Sequence, residues 1–265
     1  MRFLKKVLFA AALCGAAVLA HASPADPKNG AEYETLATAQ PTDAGKKIEV
    51  TEFFAYYCPH CNVLEPQLAA WVKKQGDNIV FKRVHVSLND SVAPQQRLFF
   101  TLQAMGLTEQ LHAKVFNAMH VERNRLNTDD AVFDFVAKNG VDRQKFIDTY
   151  RSFGISGRVR HAESMMKNYN VTFWPMIAID GRYITSPSQA DQGKTAKSEE
   201  QLNAQALTVM DVLVAKAKAE KKEACTTARR SAARRAQHRR RCRNGAPPFS
   251  IPPASTAADA ANLFP

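Results

Sequence analysis

The stretch Ile48 to Cys61, IEVTEFFAYYCPHC, decides how this chain reads. Its first ten residues are rich in β-branched and aromatic side chains, which predicts a buried strand running directly into Cys58-Pro59-His60-Cys61. Downstream, Val63, Leu64, Leu68, Trp71 and Val72 recur at helical spacing, so Cys58 falls at the amino end of an amphipathic helix. Strand, C-x-x-C and helix form a dithiol redox arrangement. A thiolate is the nucleophile of disulfide exchange, and unpaired N–H groups at a first helical turn stabilise its charge. Pro59 suits the first helical position, and a protonated His60 adds a cation beside the sulfur. Cys61, facing inward, reads as the resolving thiol. A reduced pair stabilised as thiolate makes the disulfide easier to reduce, so the chain is expected to pass its disulfide to substrates. The plainer alternatives are a structural disulfide or half of a metal site, but no second C-x-x-C pair or local His/Cys cluster supplies further ligands.

The stretch EFFAYYCPHC, with Phe173-Trp174-Pro175-Met176 and the following IAIDGRY, resembles the DsbA family of thiol:disulfide oxidoreductases of the thioredoxin superfamily. The resemblance spans roughly residues 31–220. It implies an α/β, thioredoxin-like fold with an inserted helical domain. Carried over residue by residue, Cys58 corresponds to the exposed nucleophile, Cys61 to its buried partner, and Pro59 and His60 to the dipeptide that sets the redox potential. Pro175 corresponds to a cis-proline lying against the cysteines, where the preceding backbone pairs with substrate; the plain alternative is a trans turn proline. Trp174, in the substrate-binding position, is bulkier than the residue usual there. Glu52, Glu65 and Arg83 match a buried charged cluster beneath the resolving cysteine, where a carboxylate would accept its proton; surface charges are the alternative. The family's activity implies reduced, unfolded exported proteins as substrates, a transient DsbB-like quinone-linked membrane oxidase as the reoxidising partner, a monomer, and neither cofactor nor metal. A disulfide isomerase or reductase of the same superfamily is the nearer rival, although little chain precedes the first strand to hold a dimerisation domain.

Residues 1–22 read as a secretory signal peptide: Arg2, Lys5 and Lys6, then an apolar run from Val7 to Ala20, then Ala20-His21-Ala22. Leu13 and Ala11 before Cys14 do not suit a lipoprotein cleavage box. The expected location is the periplasm, where a disulfide donor works. The formal net charge of +11 is unevenly placed. Without the +3 of the signal and the +7 of residues 224–265, the body keeps +1, so no nucleic-acid surface is expected there.

The domain expectation is a lead segment over 23–45, a thioredoxin-like domain over 46–92 and 169–223, and a helical insertion over 93–168. Strand character returns at Ile79–Leu88, within which His85 reads as a packed residue. Helical periodicity over 93–168 is broken at Gly106, at Asn139-Gly140 and near Gly154 and Gly157, with a helix start at Thr128-Asp129-Asp130. Phe99, Phe100, Met105, Met119, Met165 and Met166 read as core, the alternative being that some rim a hydrophobic groove beside Cys58. Met176–Ile179 and Arg182–Thr185 flank Asp180-Gly181, a tight-hairpin signal, and Ser198-Glu199-Glu200 opens a final helix. Residues 224–265, with RRSAARRAQHRRRCR, predict a basic, disordered tail. It reads as an out-of-frame gene end, an arm without specific role, or a surface-binding arm; the last gives the farther rival function, a basic binding protein.

Overall fold

The structure, a computed structural model, describes residues 23–244 except Leu88. The expected signal peptide and residues 245–265 lie outside the described residues. Five strands form one mixed sheet: β1 (Glu34–Thr35), β2 (Ile48–Phe54), β3 (Ile79–His85), β4 (Met176–Ile179) and β5 (Tyr183–Thr185), in the order β1-β5-β4-β2-β3. Central β2 runs parallel to β3 and antiparallel to β4, and every one of its residues is buried. This explains why its sequence is a near-continuous apolar run rather than an alternating one.

One face of the sheet carries α1 (Pro59–Gln75), whose buried stripe is Cys61, Leu64, Leu68 and Trp71. The body part of α8 (Glu199–Asn244) packs on the same core through Ala206, Val209, Met210, Leu213 and Ala217. Ser198 caps α8, its hydroxyl accepting from the Gln201 amide at 3.3 Å. The opposite face carries α2 (Ala93–Ala104), α3 (Thr108–His120), α4 (Asp129–Lys138), α5 (Arg143–Tyr150) and α6 (Phe153–Asn168), all lying in sequence between β3 and β4. These inserted helices share one apolar cluster with Phe53, Phe54, Val84 and Met176 of the sheet. Phe99 and Phe100 are buried there, and Met105, Met119, Met165 and Met166 pack against it.

Thr128 caps α4 and Gly106 and Gly140 terminate helices with positive φ, at the breaks read from the sequence. The break expected near Gly154 and Gly157 lies earlier. Ser152 caps α6, which runs through both glycines; Gly154 sits in the first turn, and a mid-helix glycine costs only about 1 kcal/mol relative to alanine. The expectation of disorder from residue 224 is likewise corrected as far as Asn244, where α8 ends. Ala and Arg dominate that segment and neither Gly nor Pro occurs before Gly245, so helix propensity outweighs the missing apolar face. From Glu220 to Asn244 the helix belongs to a second unit. Short α7 (Pro187–Ala190) lies within the polar connection before α8.

The lead segment contains a strand that its sequence did not signal. β1 pairs Glu34 with Ile184 and Thr35 with Tyr183 along β5. The Leu36 and Gln40 amides then donate to the Arg182 and Gly181 carbonyls at 2.7 and 2.8 Å. At Asp180-Gly181 both residues have positive φ, as a type I′ turn requires. A Cβ at Gly181 would come 2.2 Å from the Gln40 carbonyl oxygen, so the clasp depends on glycine.

Phe54 holds the sheet and the insertion together. It is fully buried, with the rings of Tyr56, His85, Phe99, His112 and Phe116 at 5.1 to 6.1 Å. Phe54→Ala is expected to cost about 3–5 kcal/mol of unfolding free energy, measured by denaturant titration of the reduced protein.

Candidate active site

Cys58 is the N-cap residue of α1, with Pro59 in its first turn. The Cys61 amide donates to Cys58 Sγ at 3.4 Å. Both cysteines are free thiols. The expected exposed nucleophile proves nearly covered: Cys58 is 5% exposed and Cys61 0%. The physical reason is the loop above it. The Trp174–Pro175 bond is cis, and the Trp174 carbonyl lies 3.7 Å from Cys58 Sγ, where it accepts from the thiol. The Trp174 indole stands edge-on to Tyr57, with centroids 6.1 Å apart. Phe173, immediately before it, is exposed.

The Cys58 thiol is lowered to about 7. The hydrogen bond with the Cys61 side chain is the largest cause; burial opposes it, and the Cys61 and His60 amides and the His60 charge add to the lowering. Cys61 moves the other way, pushed well above the ordinary thiol range by burial and by the neighbouring Cys58. The pair is therefore asymmetric, with one nucleophile and one proton-retaining partner.

His60 does not stand alone. Its Nδ1 is 2.6 Å from Glu199 Oε1 at the start of α8, and this contact raises the imidazole pKa above its ordinary value. Glu199 was not identified from the sequence. It is 139 positions away from His60 in the chain, and only its place in a helical first turn distinguishes it.

Beneath Cys61 the sheet register sets Arg83 of β3 opposite Glu52 of β2. Arg83 Nε donates to Glu52 Oε2 at 3.0 Å, and Nη2 donates to Glu65 Oε1 of α1 at 2.8 Å. The structure thus brings the three expected charges together in the interior. Burial raises Glu52 to about 8 against the pull of Arg83, and Glu65 adds to the rise. Burial also penalises Glu65, yet its contacts with His112 and Arg83 hold it below the ordinary carboxylate range. One guanidinium between two buried carboxylates favours one ionised and one neutral acid.

Sequence reading named His85 but not His112 or His120, which also meet Tyr56. The Tyr56 amide donates to His85 Nε2 at 3.1 Å, its hydroxyl meets His112 Nδ1 at 2.8 Å, and its carbonyl accepts from His120 Nε2 at 2.8 Å. His85 is a packed strand residue, as expected; burial lowers it to about 3 and keeps it neutral. His112 and His120, eight residues apart on α3, carried no motif in the sequence.

The chain matches the family model DSBA-like thioredoxin domain over residues 78–206 and the model Thioredoxin over 33–100. It is 44% identical over 174 residues to the thiol:disulfide interchange protein DsbA of Burkholderia cepacia, covering 65% of this chain and 82% of that protein. The chain belongs to the DsbA family. The Pseudomonas aeruginosa DsbA is 33% identical over 221 residues, covering 83% of this chain and all of that protein. Its crystal structure superposes with a TM-score of 0.67 over 74% of this chain and 97% of that one. The Xylella fastidiosa DsbA, 25% identical, gives a TM-score of 0.63 over 73% of this chain and 98% of that one. The fold is therefore the DsbA fold, thioredoxin-like with helices inserted, and the chain is a thiol:disulfide oxidoreductase. No helix among the described residues is long and apolar enough to cross a membrane.

Two measurements check these electrostatics. Thiolate absorbance at 240 nm should titrate with a midpoint of about 7 in the reduced protein, and Cys61→Ala should move it back toward an ordinary thiol near 8.5. Proton NMR should place the His60 midpoint above 6.5, and Glu199→Gln should lower it. Because the folded value is raised, any stabilising effect of the pair is present below about pH 6.5 and lost as pH rises through the folded midpoint.

Proposed function

We propose that this DsbA-family protein is a dithiol oxidase of the periplasm that donates the Cys58–Cys61 disulfide to reduced, unfolded exported proteins. The observation that carries this reading is the asymmetry of the pair. Cys58, lowered to about 7, is the stable leaving and attacking sulfur, whereas Cys61 holds its proton. A couple whose reduced form is stabilised as thiolate gives up its disulfide readily.

In the forward reaction a substrate thiolate attacks Cys58, a substrate–Cys58 bond forms, and the Cys58–Cys61 bond breaks. Cys61 leaves with the electron pair and takes a proton. Glu52 is suited to supply it, because it is neutral below about pH 8 and its charge acts on Cys61. A second substrate thiolate then attacks the substrate sulfur bonded to Cys58, the substrate disulfide forms, and Cys58 departs as thiolate. Substrate lies against the Trp174 backbone, whose carbonyl faces Cys58 Sγ, with Phe173 and the indole beside it. The Cys61 amide and the His60–Glu199 pair hold the thiolate between turnovers. Reoxidation falls to a quinone-linked membrane oxidase of the DsbB type, which meets the same face transiently, and residues 1–22 direct export. The body acts as a monomer.

Stopped-flow oxidation of a reduced, unfolded substrate by the body tests this. Cys58→Ala should abolish oxidation, and Cys61→Ala should accumulate mixed disulfides on gels. A faster reshuffling of scrambled substrate than oxidation of reduced substrate would instead identify an isomerase. Glu52→Gln should slow oxidation about tenfold at pH 7, below the ~10²–10⁴ of a fully rate-limiting proton transfer. The wild-type advantage should vanish as pH rises through about 8.

A further inference from the structure

The charged cluster beneath Cys61 extends one step farther than the carboxylates and the guanidinium. His112 Nε2 faces Glu65 Oε2 across 3.4 Å. Each of these two buried atoms lacks a hydrogen-bond partner among the described residues, so they can satisfy only each other. On the other side of the ring, Nδ1 meets the Tyr56 hydroxyl at 2.8 Å. Burial raises the phenol well above its ordinary pKa, so it keeps its proton and donates to Nδ1. Burial also disfavours the imidazolium. A neutral ring that accepts at Nδ1 carries its single proton on Nε2, the atom aimed at Glu65.

We propose that Tyr56 and His112 are positioning residues that keep the cluster's one exchangeable proton on Glu52, by holding an N–H donor on Glu65. The inference rests on the reading of Glu52 as the proton source for Cys61. Glu52 and Glu65 share Arg83, and whichever acid has the better second donor is the ionised one. Glu65 has His112. Among the described side chains Glu52 hydrogen-bonds with Arg83 alone, and so keeps the proton on the Cys61 side. The titratable groups facing the imidazole are Tyr56 after β2, Glu65 on α1, Arg83 and His85 on β3, and Glu109 on its own helix. The rest of its surroundings are the rings of Phe54, Phe99 and Phe116. No other acid among these competes with Glu65 from inside the core. The inserted helices thus contribute to the reaction through α3.

The experiment uses the full protein with ¹³C-labelled glutamate and follows the two buried carboxyl carbons by NMR against pH, assigned with Glu52→Gln and Glu65→Gln. In wild type Glu52 should titrate near 8. In His112→Phe its proton affinity should fall about tenfold and that of Glu65 should rise, because the charge that held the proton on Glu52 is reduced. His112→Gln places an amide N–H where Nε2 stood and should restore both midpoints to within about a factor of three. Unchanged midpoints in His112→Phe, or equal shifts in the Phe and Gln variants, would overturn the proposal. Should His112→Phe not fold, Tyr56→Phe decides by the same reading: a fall of about threefold at Glu52 supports the proposal, and no change overturns it. The pH profile of substrate oxidation, measured alongside, keeps the two ideas apart. If the midpoints shift as expected while Glu52→Gln leaves that profile unaltered, the positioning stands and the role of Glu52 as proton source is the part that fails.

Discussion

A sulfur can be ionised at neutral pH inside a protein only where donors converge on it, and here the first turn of α1 supplies them. The Cys61 amide and side chain both point at Cys58 Sγ, and burial, which opposes ionisation, is outweighed. Much of the remaining architecture follows from keeping that turn in place. Strand β2 delivers Cys58 directly from a fully buried register, and the apolar stripe of α1 fixes the helix against the sheet. The cis Trp174–Pro175 segment closes the top. The covering is close enough that Cys58 has little surface of its own.

Charge in the interior obeys the same economy. A strand buried on both faces has no place for Glu52 unless a partner is supplied, and the parallel register with β3 supplies Arg83 directly opposite. Adding Glu65 leaves one cation for two acids, and the raised Glu52 is the outcome.

What was legible in the sequence was local. Ile48 to Cys61 and the stripe after it carry their own periodicity, and Asp180-Gly181 states its turn in two residues. Pro175 and the three core charges were legible only by resemblance, since nothing in a single acid or proline says where it packs. Glu199 and His112 were not legible, because their partners lie 139 and 56 or fewer residues away and meet them only through helix packing. Cys58 was expected to be open, but its cover comes from a loop 116 residues downstream. Gly157 and the arginine-rich segment misled for one reason. Residue type was read as a breaker or as disorder, whereas in a helix one glycine costs little and arginine propagates well.

The two-residue strand at Glu34–Thr35 carries a consequence for the edge of the sheet. An uncovered rim of β5 would offer a row of amides and carbonyls to any extended segment that came near. With Leu36 and Gln40 already bonded to the hairpin and Gly181 pressed against the Gln40 carbonyl, that rim is occupied from within. The hairpin edge is thereby guarded against pairing with a further extended segment.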